Sequence, residues 1–207
     1  MKKLILALVA LLLPVAANAA TIVNGSFEDS PFSPGSFVTF GPGNGLITGW
    51  TIGGENVDYI GSYWEASDGA RSVDLNGGGP GSLSQTFDTV AGRAYTVTFD
   101  LAGNPDIGAE LKLLTVTAAN DSADYSFDTT GASRADMNWS NRTFAFTATG
   151  ASTTLTFSSA MPGAYGPALD NVAIAAVPEP ATWAMMIGGI GFAGGALRTR
   201  RRSAAFA

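Results

Sequence analysis

Between residues 58 and 68 the chain sets aromatic rings beside carboxylates, with Tyr59, Tyr63 and Trp64 close to Glu65 and Asp68. That mixture suits a sugar. A flat apolar ring matches the C–H face of a pyranose, while adjacent polar groups bond its hydroxyls. Gly61-Ser62 on one side and Ser67-Asp68-Gly69 on the other predict a loop, where a large side chain is more readily exposed than inside a Val-Thr alternation. Tyr125, Trp139 and Tyr165 are further candidate rings. Plain core packing is the competing reading for every one of them. A second chemistry is glycoside hydrolysis, which needs two carboxyl groups roughly 5 Å or roughly 7 to 9 Å apart. Asp58, Glu65, Asp68 and Asp74 lie close enough in sequence to supply them, yet acids in Asp-Gly and Asp-Leu-Asn-Gly contexts usually shape turns. With no His and no Cys, Ser-His-Asp and Cys-His catalysis are excluded, as are most zinc and transition-metal sites. Binding is the favoured reading, and no catalytic residue is assigned.

The elements that must position these groups are short runs rich in Thr, Val and Phe, with period two, separated by Gly, Pro, Asn and Asp. Tyr95, Val97, Phe99 and Leu101 share one face of the clearest strand. Leu83, Gln85 and Phe87 repeat the pattern, as do Phe144 with Phe146 and Leu155 with Phe157. Weaker strands are expected at 21–23, 37–40, 48–52, 57–60, 72–75, 111–118, 125–128 and 169–175. About ten to twelve short antiparallel strands predict an all-β, two-sheet sandwich of the jelly-roll kind.

The two ends belong to export. Met1-Lys2-Lys3, an apolar run from Leu4 to Val15, and Ala17-Asn18-Ala19 make residues 1–19 a signal peptide, cut by signal peptidase. Residues 20–176 form the expected domain, and 177–207 a tail: Val177-Pro178-Glu179-Pro180, an uncharged stretch 181–197, then Arg198-Thr199-Arg200-Arg201-Arg202. The uncharged stretch would cross a bilayer as a single transient helix of roughly 25 Å, with the arginines held in the cytoplasm. Of the basic side chains only five fall between these ends, against sixteen acidic ones. So acidic a domain repels nucleic acid and offers oxygen ligands to divalent cations.

The tail resembles the PEP-CTERM sorting signal of Gram-negative bacteria. That resemblance implies recognition by an exosortase at Pro178, Glu179 and Pro180, then release to the cell surface or extracellular matrix. The domain carries a second ordered set: Asn24-Gly25-Ser26-Phe27-Glu28, Trp50, residues 54–60, 64–69, 72–77 and 81–87, Gly92, Tyr95, residues 101–105, and Leu169-Asp170-Asn171-Val172. This set resembles the choice-of-anchor C family and implies a galactose-binding-like jelly roll related to plant cell-wall proteins. Similar jelly rolls tie their first and last strands with structural calcium, which places Glu28 and Asp170 as ligands, with carbonyls near Asn24 and Thr48 or with Asp74 completing the shell.

Taken together, the chain reads as an exported, noncatalytic polysaccharide-binding module of the cell surface or exopolysaccharide. The alternatives are a purely structural matrix or biofilm protein and a carboxylate glycoside hydrolase.

Overall fold

The computed structural model describes residues 20–108, 110–178 and 188–189. The expected signal peptide, the 181–197 helix apart from residues 188–189, and Glu179 and Pro180 therefore lie outside the described residues. Eleven antiparallel strands pack as two sheets: β1 (Phe37–Phe40), β2 (Thr51–Gly54), β3 (Val57–Ile60), β4 (Ser72–Asp74), β5 (Gly81–Asp88), β6 (Ala94–Gly103), β7 (Leu111–Ala118), β8 (Asp121–Asp128), β9 (Ser140–Thr147), β10 (Ser152–Ser159) and β11 (Pro167–Ala176). One sheet runs β1-β3-β4-β11-β6-β9 and the other β2-β5-β10-β7-β8. From β4 onward, successive strands distribute into the interleaved sets 4-11-6-9 and 5-10-7-8, the double Greek key of a jelly roll. The expected all-β sandwich is what the chain forms.

Period two decides which side chains meet between the sheets. Tyr95, Val97, Phe99 and Leu101 of β6 are buried, and so are Leu83 and Phe87 of β5 and Leu155 and Phe157 of β10. Phe99 meets Phe157 across the sandwich edge-on, with centroids 5.1 Å apart. Trp50, just before β2, packs on Phe157 and Phe27. Burying rings of this size is the main favourable term, each worth on the order of 1.5 to 3 kcal/mol.

Two expected strands differ. Residues 48–52 become β2 at Thr51–Gly54. Residues 21–23 form no strand, because the Gln85 side chain takes the place of a neighbouring backbone: its Oε1 accepts from Val23 N at 2.7 Å and its Nε2 donates to Val23 O at 2.9 Å.

The segment that follows is clamped onto the last strand. β11 shifts register between Asp170 and Ala173, with Asn171 in the left-handed region (φ 49). Val172 N then donates to Gly25 O at 2.9 Å. A Cβ on Gly25 would stand 1.9 Å from Val172 O, so no side chain fits there. Phe27 holds a φ of 61 although it is fully buried, a conformation that costs a non-glycine residue about 1 to 3 kcal/mol and persists only where its surroundings enforce it. Here they do so through Trp50 and through Tyr59, whose hydroxyl donates to Phe27 O at 2.7 Å. Gly25→Ala is expected to destabilise the domain by roughly 1 to 3 kcal/mol by forcing this clamp apart; a chemical-denaturation midpoint equal to that of the unaltered chain would show that the clamp yields freely.

Candidate functional site

Along the β1 edge of the first sheet, loops from four parts of the chain enclose a cleft of about 210 Å3. Phe37 of β1 and Tyr165 of the 160–166 loop present exposed rings to it, and half-buried Tyr63 stands against Phe37 with centroids 5.0 Å apart. Three groups fix the Tyr63 ring. Its hydroxyl donates to Asp106 Oδ2 at 2.6 Å and accepts from Arg134 at 2.5 Å, while the guanidinium lies 4.0 Å from the ring centroid. Arg134 Nε also donates to Asp106 Oδ1 at 2.7 Å. Burial works against ionisation of Asp106, but hydrogen bonds from Arg134 and Tyr63 hold its carboxyl below the usual range. The bond to Asp106 is the main reason that the Tyr63 phenol is pushed up. On the other wall, fully buried Lys112 pairs with Glu110 and donates to Tyr165 O at 2.9 Å, anchoring the loop that carries that ring.

The floor is a pair of carboxylates. Asp58 of β3 and Asp74 of β4 stand directly opposite in the antiparallel register, so both point to the same face. Asp58 Oδ1 accepts from the Thr39 hydroxyl, and burial pushes its pKa up against that bond. Asp74 is fully buried: Oδ1 accepts from Asn76 N at 2.9 Å and Gly166 N at 3.1 Å, and Oδ2 from Asn104 Nδ2 at 2.8 Å. Burial, with the Asp58 charge adding to it, nevertheless lifts Asp74 to about 8. Beside it Asn76 Oδ1 is buried without a donor; a Cβ on Gly166 would lie 2.3 Å from that oxygen and 2.6 Å from Asp74 Oδ1.

Residues 20–175 match the family model described as a protein of unknown function, DUF642. The chain belongs to the DUF642 family. That is the family shown, where the ordered motif set gave an expectation of choice-of-anchor C. Residues 176–202 match the PEP-CTERM protein-sorting motif, as the tail predicts. Among curated proteins, halomucin of Haloquadratum walsbyi is 35% identical over 173 residues, which cover 80% of this chain and 2% of halomucin. The chain thus spans about a fiftieth of that relative. Among solved structures, TmCBM61 in complex with β-1,4-galactotriose aligns with a TM-score of 0.48 at 17% identity, covering 76% of this chain and 99% of that one. A family 35 carbohydrate-binding module from Clostridium thermocellum aligns with a TM-score of 0.46 at 13% identity, covering 67% and 97%. Likeness at this level leaves function untouched.

This DUF642 domain divides the residues that the sequence groups together. Tyr63 reaches the cleft, joined by Asp58 and Asp74 from the expected carboxylate set and by Tyr165 from the wider set of rings. Tyr59 is fully buried in the core, and Trp64 lines the cleft beside Tyr63 but is itself buried, with Nε1 donating to Ser72 Oγ at 2.8 Å. Neither is the exposed platform expected of it: Tyr59 sits on the inward face of β3, and the 61–71 loop that carries Trp64 folds back onto the sheet. Glu65 borders a separate shallow depression, its carbonyl accepting from Trp139 Nε1, and Asp68 is an exposed loop residue. Tyr125 packs edge-on against Phe99. Phe37, Asn104, Asp106 and Arg134 are members of the site that sequence reasoning missed. Asn104-Pro105-Asp106 carried a turn signal directly after the strongest strand; Arg134 carried none.

The residues expected to hold calcium do not fit it as arranged. Glu28 Oε1 accepts from Ala70 N and Arg71 N, both at 2.7 Å. Asp170 Oδ2 accepts from Ser67 N at 2.8 Å and Asp68 N at 2.9 Å, and its Oδ1 from Asn171 N at 2.7 Å. The Asn24 and Thr48 carbonyls also accept N–H donors. Calcium requires six to eight oxygens, and here Glu28 Oε1, both Asp170 oxygens and the Asn24 and Thr48 carbonyls already accept N–H donors. Among the described residues no group of three His, Cys, Asp or Glu gathers into a metal-binding cluster.

Asp74 makes a pH prediction. Its folded pKa of about 8 lies above the unfolded value near 4, so the folded state holds the extra proton. That contribution to stability is complete below about pH 4 and is lost as pH rises toward 8. Melting temperatures measured at intervals from pH 5 to 8.5 are expected to fall more steeply for the native chain than for Asp74→Asn. Parallel profiles would mean that Asp74 does not titrate in that window.

Proposed function

We propose that this protein is a noncatalytic polysaccharide-binding module, sorted by an exosortase in a Gram-negative bacterium to the cell surface or exopolysaccharide. The observation that supports it most directly is the cleft itself, where the rings of Phe37, Tyr63 and Tyr165 stand beside Asp58 and Asn104. Apolar faces set against hydrogen-bonding groups are what a pyranose demands of its host. Hydrolysis is the less supported reading, because Asp74 on the cleft floor is fully buried with both oxygens taken by N–H donors, and Asp106 is taken by Arg134 and Tyr63. The choice-of-anchor C resemblance adds an extracellular setting to the same reading.

Two measurements bear on it. Tyr63→Ala is expected to weaken retention on the host's own exopolysaccharide by roughly 5- to 150-fold, the equivalent of losing one stacking ring worth about 1 to 3 kcal/mol. Unchanged retention by a folded variant would remove the cleft from the account. Separately, replacing Pro178-Glu179-Pro180 with alanines is expected to leave the protein in the inner membrane with its tail still attached, as judged by fractionation and immunoblot. Normal release at mature size would exclude sorting through that motif.

A further inference from the structure

Polar atoms facing the cleft are unequally divided between donors and acceptors. Asp58 Oδ1 takes the Thr39 hydroxyl, while its Oδ2 has no partner among the described residues. The two nearby cations are already committed. Arg134 is paired with Asp106, and Lys112 is fully buried, bonded to Glu110 and the Tyr165 carbonyl. An anionic ligand entering here would meet Asp58 with Asp74 behind it and find no free positive charge. A cation meets the opposite situation. It would meet the Asp58 carboxylate, and it would sit among aromatic rings, whose negative faces attract ammonium groups.

The dimensions narrow the choice further. A cleft of about 210 Å3 that opens to solvent on one side admits a single sugar ring at its floor, with neighbouring residues of a chain left outside. We infer that the cleft selects one amine-bearing sugar residue, a protonated amino sugar, with its ammonium on Asp58 and its ring against Phe37 and Tyr165. This inference rests on the polysaccharide-binding reading of the cleft and gives that reading a ligand class. Neutral sugars would offer only hydroxyls to Asp58, and uronic acids would be repelled. An ammonium on the Asp58 carboxylate adds the attraction of a second, opposite charge that a hydroxyl donor lacks, so the selectivity resides in Asp58.

The test uses the full chain in detergent and isothermal titration at pH 6, where a sugar amine is protonated. The probes are oligomers of glucosamine, the same oligomers fully N-acetylated, oligomers of galacturonate, and polylysine of matched charge. The glucosamine oligomer is expected to bind roughly tenfold or more tightly than the acetylated and galacturonate oligomers, a difference of one charge-assisted bond. Asp58→Asn should abolish that preference. Tyr165→Ala, an exposed position that the fold does not depend on, should weaken glucosamine binding even if the Asp58 variant fails to fold. Equal affinity for acetylated and free-amine oligomers would overturn the inference and leave the polysaccharide reading standing. Polylysine binding as tightly as the glucosamine oligomer would overturn it too, by showing attraction to any amine. If no oligomer binds, the amino-sugar inference falls, and the polysaccharide reading is then decided by retention on the host's own exopolysaccharide.

Discussion

One carboxylate joins most of what surrounds the cleft. Asp74 reaches by hydrogen bonds to Asn76, to Gly166 and to Asn104, so the end of β4, the turn after β6 and the loop before β11 are all referred to a single buried side chain. Burying such a group is expensive, and its proton affinity rises accordingly. The domain repeats this device elsewhere. Glu28 receives two amides of the 69–71 turn, and Asp170 receives three amides, two of them from the same loop. A chain with no cysteine therefore fixes its long loops by pointing acids at backbone N–H groups, and a share of its acidic composition serves the interior.

The same device explains the opposed fates of neighbouring rings. Along β3 the alternation sends Tyr59 into the core and leaves Asp58 facing out, where it meets Asp74 across the strands. After β3 the chain turns, and Asp170 draws residues 67 and 68 back onto the sheet. That pull buries Trp64 and leaves Tyr63 at the rim, where Arg134 and Asp106 hold it upright. Rigidity at the cleft thus derives from contacts that never face a ligand, as a preorganised site requires.

How much was legible follows from the range of the interactions. Strands β5, β6, β9 and β10 could be read directly, because period two is a local signal and burial on one face enforces it. Residues 21–23 have the same composition as a strand, yet the Gln85 side chain, 62 positions away, satisfies Val23 in place of a neighbouring strand. Trp64 looked exposed because glycine and serine flank it, whereas the bonds that bury its loop come from Asp170, over a hundred positions later. Tyr63 was legible as a candidate ring and Asp58 as one of the clustered carboxylates. Their partners Asp106 and Arg134 were not, since nothing local to either residue announces that they converge.

β11 also bears on how the domain carries load. It is the last strand in sequence but an interior one in its sheet, paired along most of its length with β6 and flanked by β4, and its ladder extends to Val177, whose N–H bonds Ala94 O. Pro178 has no N–H, so the ladder ends there. Tension applied through the tail would run along the axis of β11, loading its rungs together in shear instead of opening them one after another. A domain tethered at that point can be dragged by a membrane or a flowing matrix without being unzipped from its own end.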